Sequence, residues 1–130
     1  MFVLDTNILI YYFKGMGNVS NNLREHSPSE IAIPTVVLYE LYTGIRKSSA
    51  PQKRKIQLSE IERVVNILPF DQSAARATAE VRVELELQGQ VIGPYDLMIA
   101  GTAIANGGVL VTRNTKEFSK VSGLINENWY

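Results

Sequence analysis

The sequence predicts an α/β fold, a small parallel sheet flanked by helices on both faces. Three observations predict it. Short apolar runs of strand length recur along the chain, helical periodicities fill the gaps between them, and Gly, Pro, Ser and Asn gather at the junctions. Parallel strands need long crossovers, and strands covered on both faces read as continuous apolar runs. The chain has 130 residues, with no repeat, linker or low-complexity stretch to divide it, so residues 1–130 are expected to form one domain.

The elements follow in order. Phe2 to Leu4 is the first predicted strand, and a helix starting at Thr6 or Asn7 carries Ile8, Leu9, Tyr12 and Phe13. Loops are expected around Gly15 to Ser20 and His26 to Ser29, before a strand at Ile31 to Ile33. Pro34 suits the first turn of a helix that sets Leu38, Leu41 and Ile45 on one stripe. After a loop around Lys47 to Gln52, a helix from near Pro51 to Asn66 would use Ile56, Ile61 and Val64, giving way to a strand at Val65 to Phe70. Asp71 is placed to cap a helix whose inner face is Ala74, Ala77, Val81 and Leu85. Val81 to Leu87 alternates apolar and charged residues, which is a strand pattern. Helix is preferred because nothing breaks the chain from Asp71 to Gln88, and Arg76–Glu80 and Arg82–Glu86 are spaced as helical charge pairs. A loop around Gln88 to Gly93 leads to a helix from Gly93-Pro94 to Asn106, closed by Gly107-Gly108, and then to a strand at Val109 to Thr112.

Composition narrows the chemistry. Thirteen basic residues balance thirteen acidic ones, which weakens a reading as a general nucleic-acid coat protein. No cysteine excludes disulfides, thiolate metal sites and a cysteine nucleophile, and a single histidine excludes a multi-histidine zinc site. No apolar run approaches a membrane span, and Met1-Phe2-Val3-Leu4 meets Asp5 with no basic region before it, so a cytoplasmic location and no membrane partner are expected.

What remains is a set of acids. Asp5 directly follows the first strand, at the end where open α/β sheets place ligands, although an aspartate there also caps helices well. Glu40 falls at the margin of its helix's apolar stripe, where a carboxylate is costly unless it reaches water or a partner. Asp96 is the only charge between Pro94 and Asn106, in a first turn where the helix dipole favours an anion. Glu117 follows the last predicted strand, and a surface acid in a loop is its ordinary reading. Together, acids at or beyond strand ends from distant parts of the chain suit a hard cation. Mg²⁺ and Mn²⁺ take oxygen ligands and need only one or two carboxylates.

Four ordered segments carry a family resemblance: Leu4-Asp5-Thr6-Asn7, Tyr39-Glu40-Leu41 with Gly44, Ile92-Gly93-Pro94-Tyr95-Asp96-Leu97-Met98-Ile99-Ala100, and Leu110-Val111-Thr112-Arg113-Asn114-Thr115-Lys116-Glu117-Phe118. They resemble the PIN-domain ribonucleases, and more narrowly the VapC toxins of toxin–antitoxin modules, from Leu4 to Asn128-Trp129. The resemblance implies a PIN-like fold and a Mg²⁺- or Mn²⁺-dependent endoribonuclease, with Asp5 and Asp96 as metal ligands and Glu40 orienting a water or acting as base. Many relatives carry aspartate where Asn114 stands; Glu117 is therefore taken as the fourth acid, and a second metal is put in doubt. Thr6, Asn7, Thr112 and Asn114 are expected to orient the carboxylates. The resemblance also implies a VapB-type antitoxin, a homodimer, and an RNA substrate whose cleavage blocks translation. By similarity that substrate is initiator tRNA cut in its anticodon loop, with ribosomal RNA as the rival.

The segment from Leu41 to Ser59 holds no acid, while Arg46, Lys47, Lys53, Arg54 and Lys55 line up as a candidate phosphate-contacting edge; Arg113 joins them as a candidate contact to the scissile phosphate. Tyr11, Tyr12 and Phe13 are read as core or interface residues. Two rival functions remain at this level: a PIN-fold module that binds RNA or protein without cutting, and a housekeeping nuclease without antitoxin. An aspartyl-phosphate phosphatase is disfavoured, because the second aspartate it would need two residues after Asp5 is Asn7.

Overall fold

The computed structural model describes residues 1–130. Its elements are β1 (Phe2–Leu4), α1 (Thr6–Lys14), α2 (Val19–Arg24), a 3₁₀ turn (Pro28–Glu30), β2 (Ile31–Pro34), α3 (Thr35–Arg46), α4 (Pro51–Glu62), β3 (Asn66–Leu68), α5 (Gln72–Leu87), α6 (Pro94–Ala105), β4 (Val109–Val111), α7 (Thr115–Phe118) and β5 (Asn126–Glu127). The strands form one parallel sheet in the order β3-β2-β1-β4-β5. β1 lies in the middle, with Phe2 facing Ile31 on one side and Val109 on the other. The chain winds outward from β1 to β3, then crosses back to β4. That reversal opens a crevice beyond the carboxyl ends of β1 and β4, the ligand position of an open α/β sheet.

A continuous cluster of 27 buried residues holds the layers together, with Val3, Leu4, Ile33, Leu110 and Val111 from the sheet and Ile8, Leu9, Val37, Leu41, Ile99 and Ala103 from the helices. α5 and α6 cross almost backbone to backbone. A Cβ at Gly101 would lie 1.9 Å from Thr78 Oγ1, so only glycine admits this approach. The crossing fixes the rise of α6, which carries Asp96 in its first turn. No helix is long and apolar enough to cross a membrane.

The four predicted strands form, and the structure corrects several details. α2 and the 3₁₀ turn occupy parts of the expected loops, and β5 was not anticipated; two residues are too short to show a pattern. α4 ends at Glu62 instead of Asn66, and β3 is confined to Asn66–Leu68. Ile56 and Val64 are 59% and 57% exposed, while Leu58 is the buried residue of α4. This helix is mostly polar and covers the core with Leu58 and the partly buried Ile61. Tyr12 also stands on the exposed side of α1, beside the buried Phe13. In α5, Val81 and Leu85 are buried whereas Val83 and Leu87 point to solvent, so the four-residue spacing prevails over the alternation. Of its two expected charge pairs, Arg82–Glu86 closes at 2.8 Å.

The segment after β5 is anchored firmly. Trp129 is buried, stacks on His26 with ring planes 4° apart, and packs against Phe2 at the start of β1. Its indole N–H donates to Glu127 at 2.7 Å.

Candidate active site

Each candidate acid is delivered by a different element. Asp5 leaves the end of β1 and caps α1: the Thr6 backbone N–H donates to Oδ1 at 2.8 Å. The hydroxyl of Thr112, fully buried past the end of β4, donates to Oδ2 at 2.8 Å. That hydroxyl in turn accepts from the Asn114 backbone N–H at 3.0 Å. Both oxygens of Asp5 are thus held, one by the next residue's backbone and one by a hydroxyl from beyond β4. The residue is only 4% exposed. Burial pushes its carboxyl above the usual range; the Thr112 and Thr6 bonds oppose this, and Glu40's negative charge adds to it.

Glu40 comes from the middle of α3 and is partly buried. The Thr6 hydroxyl donates to its Oε1 at 2.6 Å, so one threonine ties Asp5 by its backbone and Glu40 by its side chain. Asp96 carries the strongest perturbation. Its carboxyl is pushed up from 3.8 to about 6, first by burial, then by the charges of Asp5, Glu40 and Glu117. The other three predicted acids therefore all act on Asp96 at the carboxyl edge of the sheet. Glu117, in the short α7, also accepts from Lys120 at 3.1 Å, a pairing the sequence reading did not include although the i, i+3 spacing is visible in it.

Of the expected orienting groups, Thr6 and Thr112 bond to the acids directly. Asn114 contributes its backbone N–H, and its side chain does not cap α7. Asn7 faces solvent, apart from the groups that bond Asp5.

The basic residues divide. Arg46, Lys47, Lys53 and Lys55 are exposed around the α3–α4 connection. Arg54 is spent internally: its Nη1 donates to the Phe13 carbonyl and to Gln57 Oε1, both at 2.8 Å, closing the last turn of α1. Arg113 lies with its guanidinium 3.7 Å from the ring centre of Tyr130 and 5.3 Å from that of Tyr11. Beside Glu40, a groove of about 380 Å³ runs between α1 and α3, lined by Phe13, Leu41, Ile45 and Arg54 among others.

Two tyrosines absent from the predicted site stand at its mouth. Tyr39 precedes Glu40 and Tyr95 precedes Asp96; their hydroxyls share a hydrogen bond at 3.3 Å, and their rings meet edge to face at 5.5 Å. The Tyr95 phenol is held above its usual range, first by the bond to Tyr39 and also by the charge of Glu40. Their position beside the two acids was the available signal.

A family model for the PIN domain matches residues 2–124. The chain belongs to the PIN-domain family. Within it, this PIN domain stands with the VapC ribonucleases. It is 38% identical to the tRNA(fMet)-specific endonuclease VapC of Shigella flexneri, over 98% of this chain and 97% of that protein. It is likewise 38% identical to ribonuclease VapC2 of Rickettsia felis, over 99% and 98% of the two chains. Among solved structures it resembles VapBC2 of Rickettsia felis bound to a promoter DNA fragment, with a TM-score of 0.91 and 37% identity over 99% of this chain and 98% of that one. The DNA-bound VapBC of Salmonella typhimurium gives a TM-score of 0.92 and 35% identity over the same shares, 99% and 98%. This PIN domain is a nuclease.

Proposed function

We propose that the chain is the toxin of a VapBC-type toxin–antitoxin pair, an endoribonuclease that hydrolyses tRNA and so blocks translation, with Mg²⁺ as cofactor and Mn²⁺ as its substitute. One observation carries the site assignment: burial, joined by the charges of Asp5, Glu40 and Glu117 from three other elements, makes Asp96 hold its proton to about pH 6. Such crowding favours a cation. The donors are all oxygens, which fits a hard divalent ion. No three acidic or histidine side chains stand close enough to hold an ion alone, which fits a site completed by water and substrate phosphate. Asp5 and Asp96 would hold the ion.

When bound, the cation would supply charge stabilisation at the phosphate and an acidified water for attack. The remaining work belongs to side chains. Thr6 and Thr112 fix both oxygens of Asp5 before substrate arrives. Thr6 occupies Oε1 of Glu40, leaving Oε2 to orient the attacking water and accept its proton. Glu117, steadied by Lys120, closes the outer side. Exposed Arg46, Lys47, Lys53 and Lys55 would draw in the RNA backbone.

Initiator tRNA is the first substrate to test, because the Shigella flexneri and Salmonella typhimurium relatives are named for it. A VapB antitoxin partner is supported by the VapBC complexes among the structural neighbours; a homodimer accords with the family resemblance. The deciding experiment treats total cellular RNA with the antitoxin-free protein under Mg²⁺, Mn²⁺ or chelator, beside Asp96→Asn, and maps new 5′ ends. Cation-dependent cuts confined to a tRNA and absent from the variant are expected. Cation-dependent cleavage by folded Asp96→Asn would overturn the site, and no cleavage by folded parent protein would turn the reading to a binding module.

A further inference from the structure

Two large aromatic side chains stand exposed beside the candidate acids. Tyr39 is 53% exposed and Tyr95 is 43% exposed. They come from α3 and α6, the helices that deliver Glu40 and Asp96, and each is the residue directly before its acid. A shared hydroxyl bond and an edge-to-face contact between the rings brace them against each other. Tyrosine offers a broad flat surface with only two side-chain torsions to immobilise. The braced pair loses less freedom on binding than two separate side chains. The neighbouring Tyr42 is held differently, by a 2.8 Å bond to Glu62 on α4.

From this placement we infer that Tyr39 and Tyr95 form a stacking platform for a nucleobase of single-stranded RNA next to the scissile phosphate. The inference rests on the nuclease reading and adds to it a subsite for the base. A phosphate seated between Asp5 and Asp96 must place its flanking nucleotides at the rim of the crevice, and this pair offers an exposed aromatic surface beside Glu40 and Asp96. Phosphate contacts hold a strand without regard to sequence, whereas an exposed ring recognises an unpaired base by its π-face. The platform therefore selects for unpaired substrate, since a base inside a duplex cannot lie on it.

The test compares RNA that has bases with RNA that lacks them. Binding of a fluorescein-labelled single strand of mixed sequence to the full chain carrying Asp96→Asn is measured by anisotropy at fixed salt, beside the same sugar–phosphate backbone made abasic. Adding Tyr39→Ala or Tyr95→Ala should weaken binding of the normal strand by about 5- to 150-fold, the range for one lost base stack. The same substitutions should leave the abasic strand within about twofold, a pattern that misfolding or lost phosphate contacts would not give. Tyr39→Phe, which keeps the ring, should retain most of the affinity. Equal losses on both strands, or no loss on either, would overturn the inference. So would a change of sedimentation from dimer to monomer in the alanine variants with normal strand binding per protomer, which would assign the pair to contact between copies. RNA bound in this tyrosine-dependent way by a parent protein that never cleaves would support the platform and sink the nuclease reading alone.

Discussion

Removing the negative charge of Asp96 should make the cation-free protein more stable while it destroys cleavage. The carboxyl holds its proton to about 6 in the folded chain against 3.8 ordinarily. Between those values the folded state binds a proton that the unfolded state has released, so stability falls as pH rises through the window and the full cost remains above it. A gap of about two pKa units at about 1.4 kcal/mol each sets a ceiling of about 3 kcal/mol. Asp96 is only partly buried, and solvent screening reduces this to about 1–2 kcal/mol. Asparagine keeps the shape and carries no charge at any pH. At pH 7.5 in chelator, Asp96→Asn should therefore melt roughly 3–8 °C higher than the parent, by thermal unfolding followed with circular dichroism. At pH 4 the gain should vanish, because the parent carboxyl is then largely protonated. Millimolar Mg²⁺ should raise the parent and leave the variant nearly unmoved, since only the former has the charge to hold the ion. A variant less stable than the parent at pH 7.5, or a gain of equal size at pH 4, would refute the electrostatic reasoning.

Other perturbations test the supporting structure. Thr112→Val removes the donor to Asp5 and the acceptor for the Asn114 N–H, and should cost about 1–3 kcal/mol by urea denaturation and 10- to 100-fold in cleavage rate; Thr112→Ser should restore most of both. Gly101→Ala forces a methyl against Thr78 and should destabilise by about 1–3 kcal/mol, with Thr78→Ala in the same chain recovering part of the loss. Arg54→Ala should lower stability by about 1 kcal/mol through the lost bond to the Phe13 carbonyl, and leave the salt dependence of RNA binding unchanged. Lys53→Ala should do the reverse, lowering the slope of log affinity against log salt by about one without altering the melting temperature.

Much of this molecule is legible in its sequence because burial writes itself there. Strands covered on both faces must be apolar throughout, and Phe2–Leu4 and Val109–Val111 stand out for that reason. Asp96 stands out by the converse, a lone charge on an apolar helix. What stays hidden is set by partners distant in the chain. β5 exists because Leu110 and Thr112 donate to the carbonyls of Ile125 and Glu127, and no local pattern announces that. Arg54 counts as a surface cation until Phe13 offers it a carbonyl from across the fold. Tyr39 and Tyr95 are 56 residues apart in sequence, and only the packing of α3 beside α6 makes them one surface. The hydroxyls of Thr6 and Thr112 are visible as residues, but their particular oxygens become known only with the folded crevice.

The wide separation of the acids in sequence bears on how the chain comes into being. The Thr112–Asp5 bond joins residues 107 positions apart, and β1 cannot acquire its second neighbour until β4 has been made. A ribosome that has synthesised the first half of the protein has produced Asp5 and Glu40, with neither Asp96 nor Glu117 to complete the crevice. On the proposed site, the nascent chain would be inert toward RNA for most of its synthesis. The last-made third brings both missing acids and the strand that locks Asp5, so the crevice is completed late. On the proposed function, that order would protect the ribosome making the protein until an antitoxin could meet the finished fold.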